Sequence, residues 1–157
     1  MNKLMTFSNI TLREYSQEVL DRSWEWLNDP EIKELTLTPD LDKEIQQAWF
    51  QSLQKKKDYY IRSVWRNEEP IGACGIKHLT HTDGEVWYYI GEKKYWGKGI
   101  GSQMMQHLIE HAGSQNLKSV FAKLSKTNIS SYKLCRKFGF KHENENENSL
   151  ITMRLYL

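Results

Sequence analysis

Apolar positions along the chain recur at two periods, and the switches between them outline the elements. Ile10-Thr11-Leu12-Arg13-Glu14 alternates apolar with polar residues and reads as a first strand. Val19, Leu20, Trp24 and Leu27 then fall on one helical stripe. Ser16 stands at the cap position of this helix, and Asn28-Asp29-Pro30 stops it, because a residue before proline avoids the helical region. A short second helix starts at Pro30, and Asp42 caps a third in which Ile45, Ala48, Trp49 and Leu53 recur at helical spacing.

Residues 59–65, 71–79 and 85–90 are rich in aromatic and β-branched types and are separated by turn sequences around Asn67 and Gly84, which predicts an antiparallel meander. From Tyr95 the pattern changes. Glycines at 97, 99 and 101 lead into a helix carrying Ile100, Met104, Met105, Leu108 and Ala112, with Gly113 as its stop. Residues 117–124 read as a strand, 128–138 as a helix ended by Gly139, and 140–142 as another strand. Glu143 to Asn148 reads as a polar hairpin loop, and 150–157 closes the sheet. A meander followed by β-α-β-α-β predicts an α/β chain of mixed α+β character: a central sheet, part antiparallel and part parallel, flanked by helices.

Composition narrows the function classes. A chain of 157 residues that is 39% hydrophobic and has 3 prolines and no linker sequence predicts one domain over 1–157. Lys and Arg number 22 against 20 Asp and Glu, a balance too even for a nucleic-acid binder. Apolar runs fall far short of the roughly 20 residues that cross a bilayer, and Met1 to Met5 has no signal-peptide core, so the expectation is a soluble, cytoplasmic protein that binds no membrane. Cys74 and Cys135 lie far apart, outside any zinc or disulfide spacing, and are expected as free thiols.

Gly97, Gly99 and Gly101 lie between a strand and a helix, where they bare the first helical N–H groups. Those groups and the positive end of the helix dipole suit a diphosphate, with Lys98 as a nearby cation; three alternating glycines also serve simply as a tight turn. The G-x-x-x-x-G-K-[ST] loop is absent, and the dinucleotide fingerprint fails at its third glycine. The segment Trp96-Gly97-Lys98-Gly99-Ile100-Gly101, with Asn128-Ile129-Ser130-Ser131 and Lys137-Phe138-Gly139-Phe140 downstream, resembles the GNAT family of acyl-CoA-dependent N-acetyltransferases, whose pattern is Q/R-x-x-G-x-G/A, then N-x-x-A/S, then K-x-G-F. Trp96 stands where Gln or Arg is usual, a departure that leaves the backbone amides in place. The order of elements resembles this family from Ile10 to Leu157, and residues 26–31 resemble the branch of ribosomal-protein N-terminal, polyamine and aminosugar-nucleotide acetyltransferases.

The resemblance implies the GNAT acyl-CoA N-acyltransferase fold, acetyl-CoA as cosubstrate, no metal, and acetyl transfer to a primary amine. For the cofactor it implies residues 96–102 (Trp96, Gly97, Lys98, Gly99, Ile100, Gly101 and Ser102), the β-bulge strand end Tyr89, Ile90 and Gly91, and Asn128 with Ser131. An alkylamine with a pKa of about 10 is almost wholly protonated at neutral pH, so a base is expected. Glu85, 11 residues before Trp96, has the spacing of the glutamate base in histone-acetylating members, though a solvated strand edge explains it equally. The family's other base position is Lys123, which cannot act in that way. The tyrosine acid that members carry four residues before the K-x-G-F glycine is Cys135 here, with Tyr132 one turn earlier; each also has an ordinary packing role.

Other features read as structural. His107-Leu108-Ile109-Glu110-His111 fits H-x-x-E-H, but its histidines flank the apolar stripe, which predicts edge-packed rings rather than a metal site. His78 and His81 read as polar surface, and Trp24, Trp26 and Trp49 as core. The acceptor is expected against residues 26–31 and the turn at 80–84, with acetyl-CoA in a gap beside the strand ending at Ile90. A small amine, such as an amino sugar nucleotide or a polyamine, leads; a protein or peptide N-terminus and a non-catalytic CoA-binding regulatory module are the alternatives, and the assembly is a monomer or homodimer.

Overall fold

The β-branched and aromatic residues of Tyr60–Arg66, Glu69–Lys77 and Glu85–Ile90 pair as the antiparallel centre of an eight-stranded sheet. The computed structural model describes residues 5, 6 and 10–157; the terminus Met1 to Leu4, which bears on the expected lack of a leader, lies outside the described residues. The strands are β1 (Met5–Thr6), β2 (Thr11–Arg13), β3 (Tyr60–Arg66), β4 (Glu69–Lys77), β5 (Glu85–Ile90), β6 (Ser119–Ser125), β7 (Lys141–Glu145) and β8 (Leu150–Tyr156). The helices are α1 (Gln17–Asn28), α2 (Pro30–Thr36), α3 (Lys43–Ser52), α4 (Ile100–Ser114) and α5 (Ile129–Lys137). The sheet order is β1-β2-β3-β4-β5-β6-β8-β7, antiparallel throughout except between β5 and β6.

Two apolar layers cover the sheet. On one face α4 lies over β4, β5 and β6, burying Met104, Met105 and Leu108 with Ile76, Val86, Val120 and Met153. On the other, α1 lies on β4 and α2 touches both β5 and β6, burying Val19, Leu20, Trp26 and Ile32 with Trp65 and Ala73. Strand alternation divides β5 between them: Val86, Tyr88 and Ile90 belong to the first layer, Trp87 and Tyr89 to the second. Polar side chains set the helix starts. Asp29 accepts from the N–H groups of Glu31 and Ile32 at the start of α2, and Asp42 accepts from Ile45 N–H at 2.7 Å at the start of α3. Ser16 holds the cap position of α1 by its carbonyl alone, which takes Leu20 N–H.

The parallel pair positions the site. β5 and β6 meet at Glu85 opposite Phe121 and at no later residue, so their C-terminal halves part and leave a gap, which α2 spans. β4 and β5 pair without a break from Lys77 and Glu85 to Gly72 and Ile90, and just past that register the N–H groups of Gly91 and Glu92 both reach the Ile71 carbonyl, at 2.6 and 3.3 Å, a bulge-like end to the strand one residue beyond the expected one. Ile71 is itself skipped in the pairing one strand over, where Val64 and Trp65 face Gly72 and Pro70.

Three boundaries also differ from expectation. α4 continues through Gly113, and left-handed Asn116 (φ 62°) turns the chain instead, which delays β6 to Ser119. Residues 143–145, expected in a loop, extend β7 because β8 offers them a pairing edge and Arg154 binds Glu143 at 2.6 Å. The turn shrinks to residues 146–149, where Asn146 Oδ1 accepts from the N–H groups of Asn148 and Leu150.

Candidate active site

The gap between β5 and β6 opens into two adjoining cavities. One, of about 450 Å³, runs from Trp96, Gly97 and Gly101 to residues 127–131 and is walled by Tyr88, Tyr89 and Ile90. The other, of about 380 Å³, lies under α2 and α3 and reaches Glu85, Trp87, Lys123 and Cys135. Leu35, Thr36, Tyr88, Tyr89, Asn128 and Ser131 line both and so form the passage between them.

The first cavity ends at bare backbone. Gly97 (φ 74°) and Gly99 (φ 81°) adopt left-handed conformations with open space where a Cβ would stand. No side chain caps α4, and its first turn makes its first return bond from Gln103 N–H to Gly99 carbonyl, at 3.4 Å. The N–H groups of Ile100, Gly101 and Ser102 therefore point from the positive end of a helix with no acceptor among the described residues, an arrangement that fits a phosphate group. Only the amide of Ile100 is available there, because its side chain is in the core. Lys98 is exposed on the loop, and Lys137 reaches back from α5 to donate to Ser102 Oγ at 3.0 Å, a second cation that the sequence reading marked only as the lysine of K-x-G-F and did not place at the loop.

Trp96 does more than leave a polar position empty. Its indole N–H donates to the Ile90 carbonyl at 2.9 Å and ties the loop to the end of β5. Ile90, expected to offer its backbone to the cofactor, thus has that carbonyl engaged. Gly91, expected beside the cofactor, has a packing role of its own: a Cβ there would lie 2.1 Å from the Trp26 ring, so this glycine makes room for the tryptophan. Trp26 donates in turn to Glu92, which also holds Arg22 at 2.7 Å.

Asn128 begins α5, accepts from Ser131 N–H at 3.2 Å and donates to the Leu35 carbonyl at 3.4 Å, joining α5 to the end of α2 over the gap. Tyr88, also missed from sequence, donates to Ser131 Oγ at 3.3 Å, and burial holds its phenol well above the ordinary value. No local motif marks Tyr88 or Thr36; only the parting of the strands brings them to the passage.

In the second cavity the one carboxylate is Glu85, 8% exposed, with its oxygens 3.8 Å from Lys77 Nζ and 3.9 Å from His78 Nε2. Cys135 lines the same cavity, but burial pushes its thiol up to about 12. Donation from such a thiol to a thiolate of ordinary pKa, about 8.5, runs uphill, which argues against the acid role. Tyr132 packs against the α4-side core and lines neither cavity. The second cavity is not lined by the segments expected beside the acceptor. Trp26 is core, the turn at 80–84 is closed by its own hydrogen bonds, and the walls are Leu27, residues 35–38, Leu41, Ile45 and Trp49. Trp49, expected as core ahead of any substrate contact, packs on the core and is also a cavity wall. His107 and His111 leave any cleft to others: Tyr60 hydroxyl lies 2.7 Å from His107 Nε2, and the His111 ring stacks on Tyr60 at 3.6 Å.

A sequence model described as the acetyltransferase (GNAT) domain matches residues 9–141. An uncharacterized N-acetyltransferase p20 of Bacillus licheniformis is 31% identical over 143 residues, covering 85% of this chain and 80% of that protein. Among solved structures, a domain from Methanocaldococcus jannaschii superposes with a TM-score of 0.83 at 21% identity, each chain covered in full at 100%. The Campylobacter jejuni N-acetyltransferase PseH in complex with acetyl coenzyme A superposes at 0.72 with 18% identity, over 99% of each chain. The chain belongs to the GNAT family of N-acetyltransferases and is an acyltransferase.

Proposed function

We propose that the protein transfers an acetyl group from acetyl-CoA to the primary amine of a small molecule held under α2 and α3. The observation that carries this reading is the pairing of an uncapped α4 N-terminus with a second cavity that opens from the same strand gap and holds one buried carboxylate. Acetyl-CoA supplies the activated acyl group as a thioester. The amides of Ile100, Gly101 and Ser102, with Lys98 and Lys137, bind its diphosphate. Trp96 and Tyr89 wall the path towards the passage, and Asn128 and Ser131 shape the passage itself.

Glu85 takes the proton of the acceptor ammonium, directly or through one water, and so supplies the neutral amine that attack requires; as the C–N bond forms and the C–S bond breaks, the proton shed by the attacking nitrogen goes to the departing CoA thiolate, directly or through water. Lys77 and His78 fix its carboxylate. Cys135 and Tyr88 stay protonated at working pH and act by shape rather than by proton donation, so alignment of amine and thioester carries much of the rate. The cavity's cover favours a small acceptor over a protein terminus: α2 and α3 and the segment between them roof it from Leu35 to Trp49.

Mass spectrometry of an amine mixture incubated with protein and acetyl-CoA tests this directly. Acetylated product that needs the protein is the expected result. Acetyl-CoA binding by calorimetry without any acetylated amine would leave only a CoA-binding module.

A further inference from the structure

The charges and rings around the second cavity carry more than an amine pocket. Tyr15, Trp49, Tyr59, Trp87 and Tyr89 form a chain of rings along it, with successive centroids 5.8, 6.2, 6.3 and 6.3 Å apart. Such a wall suits a flat, partly apolar body. Its charged lining is uneven. Glu85 is the only acid, it already lies beside Lys77 and His78, and the other charged residue is Lys123 on β6.

Among the described residues the Lys123 side chain makes no ion pair or hydrogen bond, although it lines the cavity. It follows Phe121, the register partner of Glu85, by two positions on the same side of β6, roughly 7 Å along the strand. That separation spans about one substituted ring.

The geometry points to an acceptor that is a monoamine with a ring body and a negatively charged group: the amine lies at Glu85, the ring along the aromatic wall and the anion at Lys123. The inference rests on the acetyl-transfer reading above and narrows its substrate. A carboxylate and a phosphate meet Lys123 by the same chemistry. A polyamine fits poorly, because its second and third ammonium groups would face Lys77 and Lys123 with no further acid to pair them.

Matched probes test the charge selection: 4-(aminomethyl)benzoate against benzylamine for a carboxylate, glucosamine 6-phosphate against glucosamine for a phosphate, and spermidine as the polycation. Their binding is measured by calorimetry in the presence of free CoA, and kcat/KM is measured with acetyl-CoA. In at least one pair the member that carries the negative group is expected to bind about tenfold tighter than the mate that lacks it, with spermidine weakest. Lys123→Glu removes or inverts that ratio, Lys123→Arg keeps it, and CoA affinity stays unchanged in both, which reports an intact fold. Spermidine binding as well as the anionic probes, or a ratio that survives Lys123→Glu, overturns the proposal. Selective binding without acetyl transfer to any probe instead counts against the enzymatic reading and leaves the charge selection standing.

Discussion

Glu85 and Cys135 line one cavity, yet their surroundings assign them opposite roles. The carboxylate is held between two cationic or ionisable neighbours, while the thiol is deep in apolar surroundings and pushed up to about 12. Glu85→Gln keeps the shape and removes the proton acceptor. Its kcat is expected to fall about a hundredfold at neutral pH while acetyl-CoA affinity holds, as read by steady-state kinetics and calorimetry. The variant's deficit should shrink as pH rises towards the acceptor's pKa, because solvent then supplies free amine; a deficit independent of pH counts against the base role. The sequence singles out Glu85 by its spacing from the glycine loop, which is local, and Lys137 as the lysine of K-x-G-F. The placing of Tyr88 and Thr36 at the cavities, and the reach of Lys137 to Ser102, are not legible there, because they arise between residues far apart along the chain, as for Lys137 with Ser102 or Tyr88 with Ser131.

At the scale of elements, the loop between β5 and α4 is fastened at both ends by tryptophans. Trp96 donates to the last carbonyl of β5, and Trp26 of α1 fills the space that Gly91 leaves. Gly91→Ala would set a methyl group 2.1 to 2.6 Å from three atoms of the Trp26 ring, so the ring or the strand end must move. The expected cost is about 1–3 kcal/mol, measured as a lower denaturant midpoint, with weaker acetyl-CoA binding as the loop shifts. Gly113→Ala is the control. It lies inside α4 with nothing within 4 Å of the added carbon, and it should be neutral or slightly stabilising. These two glycines also mark the reach of sequence reasoning. A glycine near a helix end reads as a stop, and the structure instead gives the stop to Asn116. The glycine at the strand end reads as exposed backbone, and the sequence carries no sign that it also makes room for an indole. The elements themselves were legible because stripe and alternation are local patterns, whereas the bulge at Ile71 and the strand pairing of Glu143 depend on which strand arrives alongside.

Across the whole molecule, the two faces of the sheet divide the work. The α1 to α3 face encloses the cavity proposed for the acceptor, and the α4 face holds a polar cluster remote from both cavities. There Tyr60, His107 and His111 bridge β3 and α4, with Arg62 donating to the Tyr60 hydroxyl at 3.3 Å. Burial, with His111 and Arg62 nearby, pulls the His107 imidazole down to about 4 from an ordinary 6.5, and burial lowers His111 as well. The unfolded chain therefore binds a proton at His107 between about pH 6.5 and 4 while the folded chain does not, His111 shifts in the same direction, and acid favours unfolding across that window. Stability should be level above about pH 6.5 and fall below it by no more than about 1.4 kcal/mol per pH unit for each ring. Thermal unfolding of the wild-type protein and His107→Leu, followed from pH 7.5 to 4, tests this. The variant begins lower at pH 7.5, having lost the Tyr60 contact, but declines less steeply, so the two curves converge as the pH drops. Parallel curves would mean that His107 is not the group whose protonation drives the acid transition.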